Sequence, residues 1–179
     1  MMQHDRSLAL LKQTRLVAIL RGVRNEIAVD VAAALYEGGV RALEFTFDHD
    51  DPDCVARNCE RIHAVRSRFP DDLLVGCGTA LTVEEVEKSG AAGGQLVISP
   101  NTDAAVIRRT RELGAVSMPG ALTPTEIVAA YQAGADLVKL FPAGELGVGY
   151  IRAVRGPLGH IPMTAVGGVR PETVAAFLD

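Results

Sequence analysis

Lys139 interrupts the apolar run Asp136-Leu-Val-Lys-Leu-Phe-Pro142, where an extended chain puts it on one face with Leu137 and Phe141. An ammonium among such neighbours is costly, so the sequence predicts an amine whose pKa falls toward neutrality. A neutral amine attacks carbonyl carbon, the opening step of Schiff-base chemistry. The plainer alternative is a lysine that snorkels to solvent from the strand end or pairs with a carboxylate. Glu44, inside Ala42-Leu-Glu-Phe-Thr46, offers the complementary group and shares its face with Ala42 and Thr46. A carboxyl in that setting has a partner or a raised pKa, and both serve proton transfer. Its plainer reading is a buried ion pair, with Lys139 as one partner. Carbinolamine formation and dehydration need this combination: an amine that holds carbon and a carboxyl that supplies and removes protons.

Other strand ends carry groups suited to anions. Arg21, in Ala-Ile-Leu-Arg-Gly, can fork onto a carboxylate or be an ordinary surface arginine. Thr79, in Gly-Cys-Gly-Thr, offers a hydroxyl and a backbone N–H to a carboxylate, or marks only a tight turn. Gly167-Gly168 precedes Pro171 at a helix start, a position where backbone N–H groups hold phosphate. The acidic run from Asp48 to Asp53 resembles a hard-cation site, but Asp51-Pro52 explains part of it as a helix start. His4, His63 and His160 show no metal-ligand spacing, and the expected chemistry invokes no cofactor.

These residues sit in a repeated step: an apolar run, a polar tip, then an amphipathic segment. The runs are 16–20, 40–45, 73–77, 95–99, 115–118, 136–141 and 162–166. Most are continuously apolar, as parallel strands covered on both faces must be. Thr82 with Glu85, and Thr123-Pro124 with Glu126, have capping-box spacing. Asn25 and Asp51-Pro52 are further helix starts, and Gly38-Gly39, Gly93-Gly94, Gly114 and Gly134 are stops. A first short helix is expected near residues 7–13. A doubly wound sheet and a (β/α)8 TIM barrel both fit seven βα units. Polar residues late in strand after strand (Arg21, Glu44, Thr79, Ser99, Lys139, Thr164) favour the barrel, and no GxGxxG follows the first strand. The seventh helical segment runs to Asp179 and no eighth strand follows. The expectation is therefore one barrel domain over residues 1–179 with its eighth βα unit missing.

Composition narrows the function. The chain has 179 residues, 48 % hydrophobic and 22 % charged, enough for one core. Eighteen basic against 22 acidic side chains leave a net charge of −4, and 4 % aromatic residues give bases little to stack on, so nucleic acid is not the expected partner. No run is long enough to span a membrane, and the N-terminus lacks a signal-peptide pattern. Cys54, Cys59 and Cys77 show neither CxxC nor zinc spacing, which fits small buried hydrophobes in a reducing cytoplasm.

Seven segments in order carry a resemblance to a known family: 17–22, 43–46, 76–82, 97–101, 118–126, 138–143 and 165–172. Over nearly its whole length the chain resembles the 2-keto-3-deoxy-6-phosphogluconate and 4-hydroxy-2-oxoglutarate aldolases, with the related 2-keto-3-deoxy-6-phosphogalactonate aldolases. The resemblance implies a (β/α)8 barrel, a homotrimer, and a metal-independent class I aldolase acting on a small keto acid. It implies that Lys139 is the Schiff-base lysine and Glu44 the general acid/base. Thr79 and Arg21 then contact the pyruvyl carboxylate and order the site. Pro100 and Phe141 wall the pocket, and Gly167-Gly168 form half of a phosphate cradle, the other half belonging to the eighth strand. One position departs from the phosphogluconate pattern: Asp48, followed by His49, stands where an anion-binding Arg is usual. Phosphogalactonate-type relatives also lack that Arg. A phosphosugar isomerase or epimerase with Glu44 as base, and a non-catalytic sugar-acid binder, are the competing readings.

Overall fold

The computed structural model describes residues 3–69, 71 and 73–178. It shows an α/β architecture of parallel strands alternating with helices. Strands β1 (Ala18–Leu20), β2 (Ala42–Thr46), β3 (Leu74–Gly78), β4 (Leu96–Ile98) and β5 (Val116–Met118) pair in chain order. A second parallel sheet joins β6 (Gly120–Ala121), β7 (Val138–Leu140) and β8 (Met163–Ala165).

The fifth apolar run, 115–118, forms β5, a short extra strand β6 follows it, and Lys139 lies on β7. Only Pro119 separates β5 from β6. Proline has no N–H to give the ladder, so regular pairing stops there. Its carbonyl still accepts from Lys139 N at 2.8 Å, and Ser117 O accepts from Asp136 N at 3.0 Å. The run of strands therefore passes through this break from β5/β6 to β7.

Helices α1 (Gln3–Thr14), α2 (Ala28–Glu37), α3 (Cys54–Arg68), α4 (Val83–Ala91), α5 (Ala104–Glu112), α6 (Pro124–Gln132), α7 (Ala143–Leu158) and α8 (Val174–Leu178) complete the chain. Both predicted capping boxes form. Thr82 Oγ accepts from Glu85 N while Glu85 Oε2 accepts from Thr82 N, and Thr123 and Glu126 repeat the exchange. The two other starts differ from expectation. Asn25 opens a short 3₁₀ turn, and its side chain bonds Glu60 and Arg61 rather than capping a helix. Helix α3 begins at Cys54, after Asp53, without a side-chain cap. Asp103, not anticipated, caps α5 by accepting from Ala105 N and Val106 N.

Strand alternation divides the side chains between two cores. Leu43, Phe45, Val75, Cys77 and Val97 point outward and pack with Ile62, Val65, Val86 and Val106 of the helices. Leu43 and Phe45 are fully buried, each worth ~1.5–3 kcal/mol over exposure. Ala42, Leu74, Leu96, Ile98, Val116 and Met118 face the other way, where Leu11 of α1 joins them. Helix α1 starts four residues earlier than the sequence indicated because His4 belongs to it: His4 Nε2 lies 3.0 Å from Asp136 Oδ1. Asp136 also accepts from Arg111 and from Ser117 N, tying α1, α5 and β5 to the residues that lead into β7.

Candidate active site

Glu44 and Lys139 occupy the inner face because their strand neighbours are committed to the outer one. Leu43 and Phe45 flank Glu44, Val138 and Leu140 flank Lys139, and all four pack against helices. Glu44 is only 2 % exposed and Lys139 7 %. Glu44 Oε2 finds no hydrogen-bond partner among the described residues, and no ion pair within 4.0 Å joins it to Lys139. The direct ion pair allowed by the sequence is thus not formed. The two groups still feel each other. Burial pushes the Glu44 carboxyl up to about 7, against the pull of Lys139 and Arg21. Burial likewise lowers the Lys139 amine, with Arg21 adding to the shift and Glu44 opposing it. A carboxyl that titrates near neutrality and an amine drawn toward its neutral form are the two states that acid–base and nucleophilic chemistry need.

Glycines make the room. A Cβ at Gly78 would sit 1.8 Å from Glu44 Oε2, so the carboxyl occupies space that only glycine leaves. A Cβ at Gly120 would lie 2.2 Å from Pro100 O, so Gly120 lets the half-buried Pro100 close against β6. Both glycines escaped the sequence reading. Gly-Cys-Gly-Thr carried the signal for Gly78, but nothing local shows that a side chain from β2 fills its face.

Immediately after Gly78, Thr79 adopts φ 61°, a left-handed backbone that a β-branched residue rarely takes. Neither its hydroxyl nor its amide bonds another described residue. Arg21 stands exposed just past β1, and its charge acts on both Glu44 and Lys139. Lys139 Nζ lies 5.0 Å from the ring centroid of Phe141, which is 39 % exposed. That ring also packs on Gly167, where a Cβ would come within 3.0 Å of it. Gly167 and Gly168 have φ of 86° and 72°, and their amides bond no described residue. The start of α7 abuts them: Ala143 N donates to Val166 O and Gly144 N to Gly167 O, at 2.8 and 2.7 Å. One grouping thus holds Lys139, Phe141 and Gly167, another holds Glu44, Gly78 and Thr79, and Arg21 acts on both.

Several groups lie outside this arrangement. Asp51 and Asp53 pair with Arg57 at 2.8 and 3.5 Å, and among the described residues no three His, Cys, Asp or Glu side chains cluster as metal ligands. A surface groove of about 560 Å³ between Arg24 and Arg61 lies elsewhere, with Asn25 bridging Glu60 and Arg61 and Arg57 pairing with Asp53. The three cysteines are free, and burial pushes Cys77 up to about 12, leaving it a packing residue. No described helix is long and apolar enough to cross a membrane.

Known proteins are similar to this chain in sequence and fold. The family description "KDPG and KHG aldolase" matches residues 8–179. A probable 2-dehydro-3-deoxy-6-phosphogalactonate aldolase of Rhizobium meliloti (strain 1021) is 43 % identical over 163 residues, covering 90 % of this chain and 74 % of that protein. The 2-dehydro-3-deoxy-6-phosphogalactonate aldolase of Escherichia coli (strain K12) is 35 % identical over 165 residues, 92 % of this chain and 78 % of the relative. A solved native KDPGal structure superposes with a TM-score of 0.83 at 35 % identity, over 91 % of this chain and 77 % of the other. The family match spans both the strand that carries Glu44 and the strand that carries Lys139, and the chain belongs to the KDPG and KHG aldolase family of carbon–carbon lyases.

Proposed function

We propose that this chain is a class I aldolase that cleaves a 2-keto-3-deoxy-6-phospho sugar acid, or 4-hydroxy-2-oxoglutarate, to pyruvate and an aldehyde. The observation that carries the reading is the inner-face pair: a buried, depressed amine on β7 and a buried, unpartnered carboxyl on β2 that titrates near neutrality. Lys139 Nζ adds to the keto carbon, and its proton passes to the former carbonyl oxygen. Protonated Glu44 then gives its proton to that hydroxyl, which leaves as water as the C=N bond forms. The resulting carboxylate takes the proton of the C4 hydroxyl. The C3–C4 bond breaks, the aldehyde departs, and the bonding pair moves into the iminium to give an enamine. Glu44 returns the proton to C3, and water releases pyruvate from Lys139.

Arg21 and Thr79 face the substrate carboxylate in this reading: one brings a fork of donors, the other a hydroxyl and an unspent amide. Pro100 and Phe141 form the walls. Gly167 and Gly168 present free amides to a phosphate at the distal end. An isomerase or epimerase would leave the buried amine of Lys139 without a task. We read the strands as seven members of a (β/α)8 barrel, supported by the 0.83 superposition on the KDPGal structure. The family resemblance further supports a homotrimer, and three free thiols support a reducing cytoplasm.

The test is pyruvate release from a panel of phosphorylated and unphosphorylated 2-keto-3-deoxy acids and 4-hydroxy-2-oxoglutarate. Cleavage of at least one is expected. Binding without turnover across the panel would replace the aldolase by a sugar-acid binder.

A further inference from the structure

The chain builds the same loop-to-helix junction twice. Ala80-Leu81-Thr82-x-x-Glu85 leads into α4, and Ala121-Leu122-Thr123-x-x-Glu126 leads into α6. In each, one glutamate oxygen accepts from the two preceding amides: Leu81 N and Thr82 N at 2.6 and 3.0 Å, Leu122 N and Thr123 N at 2.9 and 2.8 Å. The second copy meets its capping need with no residue from elsewhere, and Glu126 is exposed. The first copy adds something. Glu85 is buried, and its other oxygen, Oε1, accepts from His49 Nε2 at 2.8 Å. His49 comes from the loop that leaves β2, thirty-six positions away in sequence. Capping does not explain this contact, since the other copy caps without it.

Its position explains it better. Leu81 and Thr82 lie two and three residues after Thr79, the residue held at φ 61° with a hydroxyl and amide that bond no other described residue. A β-branched residue in that conformation is strained, so the surroundings must hold it. Glu85 grips the chain two and three residues downstream, and His49 fixes Glu85 from the side opposite its backbone bonds.

We propose that His49 is a positioning residue for substrate binding: through Glu85 it locks the Thr79 turn in the conformation that presents hydroxyl and amide to the substrate carboxylate. This rests on the aldolase reading above. Glu44 and Lys139 are held by their strands, so they keep their places without His49. A contact made equally in the ground and transition states shows in apparent affinity, not turnover.

The experiment titrates pyruvate in borohydride trapping of the full chain, reading the half-saturating concentration and the limiting rate separately. His49→Ala should raise the half-saturating concentration several-fold and leave the limiting rate within about twofold. His49→Gln, which keeps an N–H donor for Glu85, should return it toward the parent value, with thermal midpoints of all three measured alongside. An unchanged half-saturation in His49→Ala overturns the proposal, and so does a Gln variant no better than Ala. A fall in limiting rate that tracks the thermal midpoint also overturns it, because His49 would then act through global stability alone. Failure of the parent protein itself to trap pyruvate would instead remove the aldolase reading.

Discussion

The carboxyl of Glu44 lies in the space that a side chain on Gly78 would fill, with Oε2 1.8 Å from the position of that missing Cβ. Gly78↔Thr46 are register partners on β3 and β2, and both strands are fully buried, so neither backbone can retreat. Gly78→Ala must therefore push the carboxyl aside. The expected result is a folded protein, destabilised by the ~1–3 kcal/mol typical of overpacking, whose turnover falls nearly as far as when the carboxyl is removed. Unfolding curves and a cleavage assay on the same preparation check this. Full activity in Gly78→Ala would mean that the carboxyl works from elsewhere.

Glu44→Gln keeps the shape and deletes the titrating proton. Turnover should drop roughly 10²–10⁴-fold, the span that general acid–base groups contribute. Imine trapping should slow as well, since loss of water from the carbinolamine loses its acid. Steady-state rates and trapping rates, compared with the parent, measure both effects.

The same carboxyl leaves a mark on stability. Its ordinary value of 4.5 applies in the unfolded chain, and burial raises it to about 7 in the folded one. Between these values the folded state holds the extra proton. The stability Glu44 contributes is thus full below about 4.5 and lost as pH rises through about 7. The size is about 3 kcal/mol by the ordinary conversion of pKa shift to free energy. Urea unfolding across that range should show Glu44→Gln gaining on the parent as pH rises, and a constant gap would contradict the burial of a titrating carboxyl.

Much of this was legible from local signals. The inner-face positions of Lys139 and Glu44 follow from strand alternation once the apolar runs are recognised as strands. Both capping boxes follow from threonine and glutamate three apart. What stayed hidden is long-range. No local pattern shows that Gly78 clears a space for a residue on β2, that Gly120 admits the Pro100 carbonyl, or that His4 belongs to α1 through Asp136. A strand end at Pro119 is legible, because proline cannot donate in mid-strand, but nothing in the run 115–118 shows that Gly120 and Ala121 pair as a further strand. Asp103 is legible as a helix cap by residue type, ahead of the helix it caps.

Asp48 sits exposed on the loop just past β2, where its carbonyl accepts from Asp51 N at 2.9 Å and, among the described residues, its side chain has only a long contact with Asp50 N. An acid there withholds a charge-assisted bond from an anionic substrate, worth ~1.5–3 kcal/mol. The parent should accept both phosphorylated and unphosphorylated keto acids. Asp48→Arg should raise kcat/KM for the phosphorylated ones by roughly tenfold or more while changing the others little. A strict phosphogluconate-type preference in the parent, unaltered by the substitution, would show that this position takes no part in recognition.

The central claim is that Lys139 forms the imine, and it can be tested without knowing the natural substrate. Pyruvate and borohydride should leave one reduced pyruvyl group per chain, and peptide mapping should place it on the segment containing Val138-Lys139-Leu140. Lys139→Met should abolish it, and chelators should not. Labelling at Lys12 or Lys88 with Lys139 untouched, or no adduct in a protein that still cleaves its keto acid, would contradict the account.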